Sequence, residues 1–161
     1  MKAIIRILSV FSLLIILFSC NQNKTNKHFM ENSGLVVKQS KFDFNTTYTK
    51  LHDVLESNPN LKIILELDHS KNAASKGLQL RPTKIILFGN PMLGTPLMQN
   101  SATVALDLPQ KIVVFEAENK VQVAYNDPFY LKNRHDIDNS DEVLTKIAGA
   151  LNKITDVAVG N

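Results

Sequence analysis

Leu80-Arg81-Pro82-Thr83 leads into the apolar run Lys84 to Gly89, and Asn90-Pro91-Met92-Leu93-Gly94-Thr95-Pro96-Leu97-Met98 follows it. This stretch, closed by Leu106-Asp107-Leu108-Pro109, decides the fold. Pro82 holds Arg81 in extended geometry, so the chain enters Lys84–Phe88 as a strand. Gly89-Asn90-Pro91 reads as the turn that ends it. Thr95 then reads as an N-cap with Pro96 at the first helical position. Leu97, Met98, Val104 and Leu106 are core candidates.

Upstream, Leu35, Val36 and Val37 lie in a first strand within Gly34–Ser40. Asp43 caps a helix whose Phe44, Tyr48, Leu51 and Leu55 recur at helical spacing, and Asn58-Pro59-Asn60 ends it. His52 on this helix reads as a surface residue. Leu61–Asp68 is a nearly continuous apolar strand, which predicts cover on both faces. A short helical piece with Ala73 and Ala74 follows, stopped by Gly77.

Downstream, Lys111–Ala117 and Lys120–Asn126 form a hairpin turning at Glu118-Asn119. Asp127-Pro128 opens a short helix through Phe129, Tyr130 and Leu131. The last helix runs from about Ser140 to Thr155, with Asn139 and Glu142 as a capping pair and Leu144, Ile147, Leu151 and Ile154 as its buried face. A hairpin with separated helices predicts an α+β domain: a mainly antiparallel sheet with helices packed on it.

The chain has 161 residues, enough for one domain with a real core. The formal charge is +3, and removal of Lys2 and Arg6 with the leader would bring it to about +1. Nothing here suggests a nucleic-acid partner. With one cysteine, an internal disulfide is impossible.

Residues 1–19 read as a secretory signal: a basic start at Lys2 and Arg6, then the apolar run Ile7–Phe18. Leu17-Phe18-Ser19-Cys20 resembles a bacterial lipobox, in which Cys20 is lipidated. Residues 20–33 then form a polar tether, rich in Asn and Lys, and residues 34–157 the domain. The expected location is the bacterial envelope, anchored to the membrane by lipid and facing the periplasm or exterior.

Several blocks in the domain are recognisable together. They are Asp68-His69, Gly77-Leu78, Leu80-Arg81-Pro82-Thr83, Phe88-Gly89-Asn90-Pro91, Gly94-Thr95-Pro96-Leu97-Met98, Ala105-Leu106-Asp107-Leu108-Pro109, Tyr125-Asn126-Asp127-Pro128, Tyr130-Leu131 and Arg134-His135. In this order and spacing they resemble the bacterial and archaeal DUF 302 domain, over about residues 34–155. The hairpin turn departs slightly, with Asn119 where such domains often place Gly. The resemblance implies a small α+β domain that tends to pair as a homodimer. It implies no established reaction, and any cofactor is unknown.

The chemistry-bearing residues leave alternatives open. Asp68, His69 and His135 could supply a metal site or a general acid and base. Asp68 could instead cap the next helix, with His69 structural. No metal-binding motif is present. Arg81 and Asp107 could form an ion pair, or Arg81 could hold an anion. The backbone around Asn90 and Thr95 could cradle an anion, or simply turn tightly. Tyr125, Asp127 and Tyr130 could line a pocket, or cap and pack. The expectation is a lipid-anchored module binding or sensing a small ligand through these residues. The alternatives are a hydrolytic or metal-dependent enzyme using His69 or His135, and a structural assembly protein.

Overall fold

The computed structural model describes residues 33–161. Cys20, the leader and most of the tether lie outside the described residues. Contacts divide the chain into Met1–Leu35 and Val36–Asn161. In the first unit, Gly34 takes a positive φ of 69° at a turn.

The element order is β1 (Leu35–Gln39), α1 (Phe44–Glu56), β2 (Lys62–Asp68), α2 (His69–Ala74), β3 (Thr83–Gly89), α3 (Pro91–Asn100), a 3-10 helix (Ala102–Leu106), β4 (Gln110–Ala117), β5 (Lys120–Asn126), α4 (Pro128–His135) and α5 (Asp141–Val159). The strands form one sheet in the order β1-β5-β4-β3-β2, and the β2–β3, β3–β4 and β4–β5 ladders are antiparallel. This is the α+β architecture expected from the hairpin and the separated helices.

Strand alternation builds the core. Ile86 and Phe88 of β3, Ile112 and Val114 of β4, and Val123 and Tyr125 of β5 are all buried. They share one face, as the Ile86↔Ile112, Ile112↔Tyr125 and Val114↔Val123 pairings require. Leu51 and Leu55 of α1 and Leu144, Ile147, Leu151 and Ile154 of α5 belong to the same cluster. Each fully buried Leu or Ile contributes about 1.5–3 kcal/mol over an exposed one. The other face carries Ile85, Leu87, Val113 and Phe115, which remain partly exposed.

Local chemistry sets the element ends. Asp43 accepts the Thr46 N–H at 2.9 Å and so caps α1. Glu118 and Asn119 both take positive φ, 52° and 59°, the backbone twist that a two-residue hairpin demands.

Four expectations are corrected. Strand β2 is not covered on both faces: it lies at the sheet edge, with Ile64 56% and Leu65 49% exposed. A register shift between Ile63 and Leu65 breaks its alternation, and an apolar run alone does not distinguish a bulged edge from a central strand. Thr95 does not cap a helix. Asn90 does, accepting the Met92 N–H at 2.9 Å, so Pro91 is the first helical residue and Pro96 falls inside α3. Leu106 is 77% exposed rather than core, and Met98 is exposed too. Asn139 does not cap α5: it sits at a φ of 49°, Ser140 takes the N-cap position, and Glu142 pairs with Lys146 at 2.7 Å.

Candidate functional site

The antiparallel register separates the chemistry-bearing residues into two groups. Asp68 pairs with Lys84, so Asp68, His69 and Arg81 lie at one end of the sheet. Lys62 pairs with Gly89 and Phe88 with Gln110, so Asn90, Thr95 and Asp107 lie beyond the other end. Seven residues of β3 hold these ends about 20 Å apart.

At the first end, Asp68 caps α2, accepting the Lys71 N–H at 2.9 Å and the Ser70 hydroxyl at 2.6 Å. Burial alone would raise its pKa, but those bonds with Lys84 and Lys71 outweigh it and hold the carboxyl below its ordinary value. His69 is the first residue of α2 and half-buried. Arg81 is exposed beside Thr83 and Glu116. The expected Arg81–Asp107 pair is therefore absent: the two residues leave opposite ends of β3 and β4.

At the second end the chain leaves β3 at Gly89, makes α3 and the 3-10 helix, and returns through a cis Leu108–Pro109 bond to β4. Between this excursion and α5 lies a cavity of about 390 Å³. Phe88, Leu93, Leu108, Ile147, Leu151 and Ile154 make its apolar walls. Gly94 lies against the Leu108 wall, where an added Cβ would make an ordinary contact 3.7 Å from Leu108 Cδ1. Lys62, Asn90, Thr95 and Gln110 are the polar side chains of the lining. A volume of this order falls at the lower end of small-molecule sites, about 300–1,000 Å³.

Next to the Leu108 wall, Asp107 meets His135. Nε2 of His135 lies 2.6 Å from Asp107 Oδ2, and Nδ1 lies 3.0 Å from Thr103 Oγ1. An ionised carboxylate only accepts, so Nε2–H donates to Asp107, while Nδ1 shares a hydrogen bond with the Thr103 hydroxyl. The His135 side chain is 4% exposed, and Arg134 Nη1 approaches Asp107 Oδ2 at 3.3 Å. Lys111 donates to the main-chain carbonyls of Asp107 and Pro109. Burial pushes the Lys111 pKa down, partly opposed by the Asp107 charge. With both ring nitrogens engaged, His135 has no free lone pair for a metal. Among the described residues, no three His, Cys, Asp or Glu gather as a metal-holding group.

The tyrosines do not converge. Tyr125 is buried on the core face, its pKa raised chiefly by burial, with a hydrogen bond to Thr155 acting the other way. Asp127 caps α4, accepting the Phe129 N–H at 2.9 Å. Tyr130 is exposed. Thr103 and the apolar cavity walls were missing from the sequence expectation. Thr103 carries no motif, and the walls come from segments that only the fold brings together.

A family model described as Domain of unknown function DUF302 matches residues 36–154. Fluoride-specific ion channel FluC 1 of Brucella suis biovar 1 (strain 1330) is 36% identical over 115 residues, covering 71% of this chain and 45% of that protein. FluC 1 of Brucella abortus biovar 1 (strain 9-941) is likewise 36% identical over 115 residues, 42% of its length. The chain thus spans less than half of these relatives. The crystal structure of an uncharacterized conserved protein DUF302 from Bacillus stearothermophilus aligns with a TM-score of 0.69 at 18% identity, over 78% of this chain and 98% of that one. At that identity it speaks for the fold alone. The family model covers nearly the whole folded domain, and the chain belongs to the DUF302 family.

Proposed function

We propose that this protein is a small-ligand-binding module whose ligand is mainly apolar and sits in the cavity between α3, the Leu108–Pro109 segment and α5. The cavity itself carries the reading: it is concave, walled by hydrocarbon, and holds a few polar side chains. Burying an apolar ligand there gains about 25 cal/mol per Å² removed from water. Phenylnaphthylamine, a neutral apolar dye, tests it. The parent protein is expected to bind the dye with a rise in fluorescence. Ala150→Phe, which fills the cavity from α5, is expected to abolish that rise without loss of the folded circular dichroism spectrum. Equal dye binding by both would overturn the reading.

Two further features belong to this account. Cys20, following Leu17-Phe18-Ser19, carries lipid and tethers the domain to the envelope membrane; radiolabelled palmitate should label the parent and not Cys20→Ser. The partly exposed sheet face at Ile85, Leu87, Val113 and Phe115 pairs two copies. Val113→Lys is expected to convert a dimer to monomer in analytical ultracentrifugation.

A hydrolytic reading has one observation in its favour, the Thr103 hydroxyl on His135 Nδ1. His69 takes no part, being at the opposite sheet end. Turnover of an acyl ester lost in Thr103→Val would support it. The FluC relatives are named for a channel, but the described residues of this chain hold no helix long and apolar enough to cross a membrane.

A further inference from the structure

We infer that the cavity ligand is a carboxylate-headed amphiphile of the fatty-acid class, its tail among the apolar walls and its head at Lys62. The inference rests on the apolar-ligand reading and adds the head group. The polar lining is one-sided in its chemistry. Lys62, Asn90, Thr95 and Gln110 can each donate hydrogen bonds, and no Asp or Glu belongs to the lining. The Asn90 side-chain oxygen is already engaged by the Met92 N–H, which leaves its amide N–H groups as the available function. Among the described residues, Lys62, Thr95 and Gln110 have no side-chain hydrogen bond or ion pair. One cation with neighbouring donors and no competing acid complements an anion rich in acceptors. The walls fix the remainder: Phe88, Leu93, Leu108, Ile147 and Leu151 offer hydrocarbon to a tail and nothing to a second polar group.

Lys62 opens the edge strand and is exposed, so its charge costs nothing to keep and its removal leaves the core intact. Decanoate and decanol share a tail and differ in the head, so calorimetric titration of the purified protein with each separates head from tail. Decanoate is expected to bind about tenfold more tightly than decanol. Lys62→Met should remove that preference, so that decanoate and decanol bind the variant about equally. Ala150→Phe should abolish binding of both. Equal affinity for decanoate and decanol, or a preference that survives Lys62→Met, would overturn the carboxylate head while leaving the apolar cavity reading in place. Binding of neither, or binding that Ala150→Phe leaves unchanged, would overturn both.

Discussion

His135 Nε2 donates to Asp107 Oδ2 at 2.6 Å, joining the end of α4 to the segment that follows the 3-10 helix. The imidazole is almost fully buried and the carboxylate nearly so. Removing the ring would take from Asp107 its shortest hydrogen bond, leaving Arg134 and Lys111 as its charged neighbours, and would leave Thr103 with Ser101 as its side-chain partner. His135→Ala is therefore expected to lower unfolding free energy by about 2–4 kcal/mol in denaturant melts. His69 has no such network, and His69→Ala is expected to stay within about 1 kcal/mol of the parent. A small loss in the first and a large one in the second would reverse the assignment.

Alkaline pH is expected to destabilise the fold through Tyr48. Its hydroxyl donates to Glu66 Oε2 at 2.6 Å, and burial, that hydrogen bond and the Glu66 and Asp68 charges raise its pKa well above the ordinary 10.0. Below pH 10 both states hold the proton, and the contribution is fully present. Above it the unfolded chain ionises first, so stability falls as pH rises. Lys111, with its lowered pKa, gives the opposite slope, but it is common to parent and variant. Tyr48→Phe should flatten the alkaline limb in melts between pH 9 and 11. An unchanged limb would contradict the linkage.

Pro96 is expected to weaken α3. It stands inside the helix, where it cannot donate to the Met92 carbonyl and its ring crowds that group. Pro96→Ala restores the donor, though it also frees the unfolded chain. The expected net gain is about 1–2 kcal/mol by thermal melting. A loss would show that the ring packs to advantage.

The periodic segments were legible because their apolar spacing is local. Leu51 and Leu55 of α1 and Leu144, Ile147, Leu151 and Ile154 of α5 are buried as their helical spacing required. The hairpin was legible from its turn. The α3 start was misplaced because both Asn90-Pro91 and Thr95-Pro96 satisfy the same capping rule. Only tertiary context chose the first. The candidate site was legible in part. Asn90, Thr95, Asp107 and His135 do lie beyond one end of the sheet. Asp68, His69 and Arg81 do not, because strand direction, invisible in composition, carried them to the other end. The cavity walls could not be read, since Phe88, Leu108 and Ile147 are distant in sequence and share no spacing.

Native mass spectrometry of the protein, purified without added lipid or dye, tests the central claim most directly. The expected result is a folded species carrying one small apolar molecule per chain, lost in Ala150→Phe. A bare parent protein that also takes up neither phenylnaphthylamine nor decanoate would contradict the binding function.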